Sequence, residues 1–423
     1  MSGKDSISMD EQARAILIAN DRGGYTLPTA GLYPYQWNWD SAFAGWGFAT
    51  FDIERAWQEL ESLFSGQWPN GMVPHILFRR DDPDYFPGPE VWGTEGIGPI
   101  PSGGISQPPV AATFIRAIWE SDKPAGTERL RVLLPKIMAW HKWFIDWRTS
   151  DEGAVFISHP WEAGRDNSAD WDSAMAMINP VGVGEYTRRD TGHVDPAMRP
   201  TKADYDRYLW LVNRGREMRW DDAKMAADRP FAVADPTLTF ILIRANKDLA
   251  HMAGALGMDT RNIEKWIHKL EQGAEHLRNP DSGLFNAINL RTGKHTGHIT
   301  SATFLPWYAG IEDAASLKAL NESLSSCRYP VPSLAKSSPH YEAMRYWRGP
   351  TWAIMNALTG IGLADMGHAD QAELIRVRTQ DLISRHGFAE YFHADTGEPA
   401  GGATFTWTAA VWLAWASSSR EPV

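Results

Sequence analysis

Apolar residues recur at three- and four-residue spacing along most of this 423-residue chain, the pattern of amphipathic helices. Ser8 and Glu11 form a capping-box pair ahead of an Ala/Ile/Leu run. Asp52 precedes Ile53, Ala56, Trp57, Leu60 and Phe64, and the pattern stops at Ser65-Gly66. Asp235-Pro236 sets a cap and a first-turn proline before Leu238, Leu242, Ala245, Leu249 and Met252. That helix ends near Gly257, and Asp259 starts another carrying Ile263, Trp266, Ile267, Leu270 and Leu277, so the two form an αα-hairpin. Further helical patterns cover roughly 107–122, 126–149, 201–218, 311–325, 350–366, 368–385 and 404–417. Strand-like alternation is scarce and short. About a dozen helices without a low-complexity linker predict an all-α fold of one domain, residues 1–423, built as a helical toroid of paired helices.

Between the helices lie long irregular segments: 29–40, 66–106, 156–200, 338–350 and 387–404. Loops of this length in a compact domain are functional or disordered, and their Trp and Tyr content argues against disorder. Cap insertions over the toroid are therefore expected at about 66–106 and 156–230. The glycine- and proline-rich part, 86–106, reads as a lid.

Composition narrows the function. The chain is 43% hydrophobic and 22% charged, which suits a globular protein. Its net charge of −11, with no basic stripe, argues against nucleic acid. No apolar run approaches the roughly 18 residues of a membrane span, and MSGKDSISMDEQ lacks a signal-peptide core. One cysteine, Cys327, rules out an internal disulfide and fits a cytoplasmic setting. The 21 tryptophans are out of line. Many neighbour Asp, Asn, Arg, Gly or Pro, and flat rings beside hydrogen-bonding groups suit a pyranose, whose faces are apolar and whose rim is hydroxyl.

Two carboxyls stand among such rings. In HPWEAGRDNSADW (His159 to Trp171), Asp166, Asn167 or Ser168 caps a helix starting near Ala169, or Asp166 is a general acid. A carboxyl held against indoles is partly desolvated, so its pKa rises and it keeps its proton. In HGFAEYFHADTGEPAGG (His386 to Gly402), Glu390 either pairs with Arg345 or Arg348 or serves as a general base. Asp395 and Glu398 belong to a surface turn. Two carboxyls in different environments meet the requirement for glycoside hydrolysis.

Three stretches read as ligand walls. YPYQWNWDSAF (Tyr33 to Phe43) sets rings ahead of Asp40, an acceptor for vicinal hydroxyls. YEAMRYWRGPTW contributes Tyr346, Trp347 and Trp352. In RRDTGHVDPAMRPTKADYDRY (Arg188 to Tyr208), Arg199 and Tyr205 suit a carboxylate, although an ion pair of Arg199 with Asp204 or Asp206 is the plainer reading. His295-x-x-His298 and Asp81-Asp82-Asp84 lack a ligand set, so neither metal nor cofactor is expected. No phosphate loop or nucleophile elbow is recognisable.

Taken together, YPYQWNWDSAF, WEAGRDNS, RPTKADYDRY, YWRGPTW and FAEYF followed by TGEP resemble glycoside hydrolase family 63. Within it they are most similar to the short bacterial hydrolases of mannosylglycerate and glucosylglycerate, over about Arg14 to Trp415. The resemblance implies an (α/α)6 barrel and an inverting glycosidase that splits 2-O-α-glucosyl- or mannosylglycerate, a compatible solute, into hexose and glycerate. By motif position it makes Asp166 the general acid and Glu390 the general base. It places sugar contacts at Tyr33, Trp39, Asp40, Trp161, Tyr346, Trp347 and Trp352, with Tyr85 and Gln107 matching over a lid of variable length. Arg199 and Tyr205, six residues apart, match the pair that holds the glycerate carboxylate. Arg165 and the flanking tryptophans are expected to set the proton affinity and position of Asp166. Three rivals stay open: an α-glucosidase for a neutral disaccharide, a sugar isomerase or epimerase on a helical toroid, and a non-catalytic sugar sensor. Gluco or manno preference and oligomeric state, a homo-oligomer included, are not fixed by the sequence.

Overall fold

The computed structural model describes residues 7–82, 84–188 and 190–417. The helices that build the frame are α1 (Met9–Asn20), α2 (Asn38–Phe48), α3 (Ile53–Ser65), α4 (Ala111–Ser121), α5 (Lys123–Trp147) and α6 (Lys202–Glu217). They continue with α7 (Pro236–Ala255), α8 (Arg261–His276), α9 (Ala314–Ser326), α10 (Ala353–Asp365), α11 (Ala369–His386) and α12 (Thr406–Val411).

Inner and outer helices alternate. The inner ring runs α2, α4, α7, the short 3-10 turns Ser301–Phe304 and Trp307–Ala309, α10 and α12, and α12 packs back onto α2 to close it. Around them lie α3, α5, α8, α9 and α11, each against the inner element beside it in the chain, and α1, which packs mainly on α12. This is the (α/α)6 toroid that the helical spacing predicts. The inner helices α2 and α10 are buried on nearly every side: α2 hides all but Trp46, and α10 all but Ile361 and its last residues. A helix that is apolar all round belongs to a core, which is why α2 shows no amphipathic stripe. The sequence reading left Trp39 and Asp40 in a loop; they sit in the first turn of α2. Ring closure needs Gly47, because a Cβ there would lie 2.7 Å from the Cβ of Ala410.

The capping signals are realised. Ser8 and Glu11 form the full capping box, Asp52 accepts from the Arg55 amide, and Asp235 accepts from the Thr237 amide ahead of Pro236. One feature was not predicted: a four-stranded antiparallel sheet of two-residue strands, Phe156–Ile157, Val233–Ala234, Ile288–Asn289 and Lys294–His295, in that order. Strands this short carry no alternation to read, yet Phe156–Ile157 fixes the chain just before the His159 to Trp171 segment.

A buried polar cluster anchors the loop that precedes α2. The Glu59 carboxylate, fully buried on α3, accepts from the Thr26 hydroxyl (2.7 Å), the Ser41 hydroxyl (2.6 Å), the Gln36 amide (3.3 Å) and Arg55 Nη2 (2.6 Å). Arg55 also holds Asp21. The stretch 26–41, which carries Tyr33, Trp37, Trp39 and Asp40, is thereby tied to one carboxylate. Removing one partner of a buried pair strands the other in a dry site. Glu59→Ala is therefore expected to lose about 3–5 kcal/mol of stability, read as a lower denaturation midpoint, with Glu59→Gln losing less.

Candidate active site

The opening motif folds so that each polar residue has a separate duty. His159 Nδ1 accepts from the Trp161 amide and starts a 3-10 turn, Pro160–Ala163. Gly164 ends it at φ +66°, and a Cβ there would lie 2.7 Å from the Trp39 ring, so only glycine fits. Arg165 then turns into the core. Its guanidinium meets Asp170 (3.1 Å) and Asp235 (2.8 Å) and lies over the Trp171 ring, whose indole N–H donates to the Arg165 carbonyl. Ser168, not Asp166, caps the following turn at Ala169–Trp171. Glu162 pairs with Arg148. Asp166 is left facing the cavity, its carbonyl held by the Tyr208 hydroxyl at 2.9 Å. Arg165 thus fixes the backbone beside the acid rather than its charge.

Glu390 comes from the opposite side of the ring. It follows α11 and Gly387 and opens a short strand, Tyr391–Phe392, paired with Pro399–Ala400 across the predicted turn. Trp407 Nε1 donates to the Glu390 carbonyl, and Arg345 and Arg348 are engaged elsewhere, with Glu342 and Asp172. The pairing considered for Glu390 with these arginines is therefore absent.

Asp166 and Glu390 meet in an inner chamber of about 350 Å³, lined also by Tyr33, Trp37, Trp39, Asp40, Gln107, Gly164, Tyr346, Phe405 and Trp407. It opens into an outer vestibule of about 760 Å³ whose wall includes Tyr85, Phe86, Trp92, Trp161, Asp190, Arg199 and Tyr205. Tyr33, Trp37, Gln107, Asp166 and Tyr346 belong to both, so Asp166 stands at the junction and Glu390 at the inner end.

The two carboxyls are not alike: Glu390 is fully buried and Asp166 half-buried. Burial raises the Asp166 pKa to about 7, with Arg199 pulling it down and Glu390 pushing it up. Burial raises Glu390 too, but Arg199 opposes the shift, and the Tyr346 and Tyr33 hydroxyls donate to its Oε1 at 2.8 and 3.2 Å. Phenol donors favour the ionised form, so Glu390 is the one equipped to hold a charge. Its Oε2 is buried with no partner, and a Cβ at Gly401 would lie 2.1 Å from it. Asp40, 4% exposed, has burial as the main cause of a strong upward shift, and its Oδ1 is unpartnered. Hexose hydroxyls are suitable partners for such an oxygen.

Arg199 is buried, not a surface pair. Its Nε donates to Asp190 (2.9 Å) and Nη2 to the Tyr33 hydroxyl (3.2 Å), while the guanidinium lies 4.1 Å from the Tyr346 ring centre and Nη1 has no partner. The expected partners Asp204 and Asp206 serve instead as a cap for α6 and as acceptors from Lys202 and Tyr186. Tyr205 is packed between Tyr186 and Trp161.

Of the residues singled out in the sequence, Trp347 and Trp352 do not line either chamber. They stack face to face at 3.8 Å directly behind it, with Trp39 against one and Tyr346 against the other. Trp347 adopts φ +58°, a left-handed conformation uncommon for a bulky residue, which turns Tyr346 toward Glu390. Sequence reasoning missed Trp37, Trp407, Phe405 and Asp190. Trp37 lies within a quoted stretch but was not assigned a contact; Asp190 looked like one charge in a charged run. The 86–106 segment, read as a lid, lies beside the vestibule. Its glycines approach protein rings, Gly103 against His75 and Gly104 against Trp220, and within it Phe86, Pro87 and Trp92 face the vestibule. Phe86 stacks on Tyr186 at 5.4 Å, joining the two cap loops.

A helical toroid that holds two desolvated carboxyls in an aromatic chamber is the arrangement of a glycoside hydrolase. The family pattern described as mannosylglycerate hydrolase MGH1-like glycoside hydrolase domain matches residues 33–408, and the chain belongs to that family. It is 44% identical over 414 residues to mannosylglycerate hydrolase MGH2 of Selaginella moellendorffii, covering 96% of this chain and 85% of that one. Glucosylglycerate hydrolase of Mycolicibacterium hassiacum is 34% identical, with 96% of both chains covered. A crystal structure of the glycoside hydrolase family 63 mannosylglycerate hydrolase from Thermus thermophilus, in complex with Tris and D-glycerate, superposes with a TM-score of 0.93 at 41% identity. It covers 97% of this chain and 100% of that one. The sugar isomerase and sensor readings are thereby set aside.

With Asp166 as acid and Glu390 as base, the roles the family resemblance implies, the electrostatics would set a pH profile. A required acid is present below its pKa and lost as pH rises through it, so kcat/KM should fall above about pH 7, where Asp166 loses its proton. A required base is lost as pH falls through its own pKa, which for Glu390 lies above the usual carboxylate value. The expected result is a bell in kcat/KM, with Asp166→Asn and Glu390→Gln each lowering kcat by about 100-fold or more.

Proposed function

We propose that this protein hydrolyses a 2-O-α-glycosylglycerate, mannosyl or glucosyl, to hexose and glycerate with inversion at the anomeric carbon. The observation that carries the aglycone assignment is Arg199. A buried guanidinium with one unpartnered nitrogen stands in the vestibule wall, on the leaving-group side of Asp166. A carboxylate on the leaving group is the natural partner for that nitrogen. Since Nε is already taken by Asp190 and one Nη2 hydrogen by Tyr33, the carboxylate meets the remaining Nη edge.

The hexose occupies the inner chamber, with its ring against Trp37 and Trp407 and its hydroxyls toward Asp40 and Gln107. Gln107 Oε1 already accepts from the Trp39 amide, which leaves its NH2 group as donor to the sugar. Asp166 protonates the glycosidic oxygen as the bond to the anomeric carbon breaks. Glu390 takes a proton from a water that attacks the same carbon from the opposite face. The unpartnered Oε2 beside Gly401 is the oxygen available to that water; Oε1 is held by the two phenols. An inverting pair leaves about 6.5–9.5 Å between carboxyls for the water. The single cysteine supports a cytoplasmic setting.

Substrate choice tests the reading. Arg199→Ala should lower kcat/KM for glycosylglycerate by about ten- to a hundred-fold, the worth of a hydrogen bond to a charged group. The glycerol analogue, which lacks the carboxylate, should be affected far less. Equal loss on both would make the neutral-disaccharide glucosidase the better assignment. Proton NMR of the first-formed sugar should show the β-anomer; an α-anomer would contradict inversion.

A further inference from the structure

Asp190 lies in the vestibule wall between two arginines, in a loop to which no role has been given. Arg188 grips it with both ends of its fork, Nε to Oδ1 at 3.0 Å and Nη2 to Oδ2 at 2.7 Å. Arg188 is itself fixed, donating to the Pro200 carbonyl at 2.6 Å and lying over the Tyr205 ring at 4.3 Å. From the other side Arg199 Nε donates to Asp190 Oδ2 at 2.9 Å. Arg188, Asp190 and Arg199 thus form one chain of contacts that ends at Tyr33 and Tyr346, the two donors to Glu390. All three charged side chains are largely buried, so water screens them little.

We propose that Asp190 is a positioning residue, which holds the Arg199 guanidinium by its Nε so that one nitrogen stays free for the leaving group, and whose charge limits the pull of Arg199 on the proton of Asp166. Among the described residues two cations share one anion, so Arg188, Asp190 and Arg199 together carry a net +1, the charge complementary to one carboxylate. The inference rests on Arg199 and Asp166 acting as proposed above.

Among the described residues, the groups facing Asp166 are Arg199, Glu390, Asp190 and Asp40, with the phenols of Tyr208 and Tyr346. Of these Arg199 is the one cation. Tyr85, Tyr186 and Tyr205 face Asp190 and remain neutral. Asp190 itself stays ionised, since the two arginines hold its pKa down at about 2 against the pull of burial. Removing its charge leaves Arg199 uncompensated and strengthens the field on Asp166; the Asp166 pKa falls. Removing Arg188 instead gives Asp190 wholly to Arg199, and the Asp166 pKa rises. The two substitutions therefore act with opposite sign, which loosened packing alone would not produce.

The experiment compares wild type with Asp190→Asn, Asp190→Glu and Arg188→Gln. The Asp166 carboxyl is titrated by carbon-13 NMR of aspartate-labelled protein, its signal assigned with Asp166→Asn. The expected result is a fall of roughly half a pH unit or more in Asp190→Asn and a rise in Arg188→Gln, as for a charge acting a few ångströms beyond its neighbour. Asp190→Glu should return most of the wild-type value. The basic limb of kcat/KM should move in step, and kcat at pH 7 should fall several-fold in Asp190→Asn. An unchanged Asp166 titration in Asp190→Asn, or shifts of the same sign in both variants, overturns the proposal. Because the NMR titration reads Asp166 whatever its task, a failure of the hydrolase assignment appears separately, as a basic limb that does not follow the carboxyl.

Discussion

Everything at this site depends on moving carboxyls out of water. A carboxylate in an apolar surrounding is unstable unless a cation or hydrogen-bond donors reach it. The protein answers differently for each of three carboxyls. Asp40 receives no cation, Asp166 feels Arg199 without a donor fixed to it by another side chain, and Glu390 receives two phenols and the field of the same arginine. One desolvated chamber therefore yields groups of graded proton affinity. The aromatic wall follows from the same constraint, since it supplies both the dryness and the flat faces a sugar ring meets.

The toroid provides what such a chamber requires of its surroundings. Its inner helices α2 and α10 are buried on nearly all sides, so their first turns and the loops above them are held by packing and not only by hydrogen bonds. Polar anchors complete the work at a few points. Glu59 ties the loop before α2, and Arg165 ties the backbone beside Asp166 through Asp170 and Asp235. Stacked Trp347 and Trp352 back the chamber as a rigid plate. Loops joined to a rigid frame in this way combine precise placement with freedom of sequence.

Much of this was legible in the chain, and the reasons for the gaps are physical. Caps and amphipathic stripes revealed the outer helices, because those have a wet face. The inner helix α2 lacks one and reads like any apolar run. Asp166 and Glu390 stood out because carboxyls among indoles have few structural uses; Ser168 resolved the capping alternative. Trp347 and Trp352 follow from ring type and motif position, neither of which separates a wall that touches the cavity from the layer behind it. Asp190 was hidden for the opposite reason: a charge in RRDTGH looks like a solvated turn until folding brings Arg199 against it.

Closure of the ring has a consequence for how the protein comes into being. The α12 segment packs on both α2 and α1, with Asn20 bonded to Thr404 and Thr406 across the seam. Contacts that join such distant parts of a chain form late and slowly. As the polypeptide leaves the ribosome, α2, with Trp39 and Asp40, must wait for about 360 residues before α12 exists. Glu390 is made only shortly before that helix. The chamber therefore has no functional precursor during synthesis. Until then the apolar surfaces of α2 that α12 will cover stay exposed to whatever else is nearby.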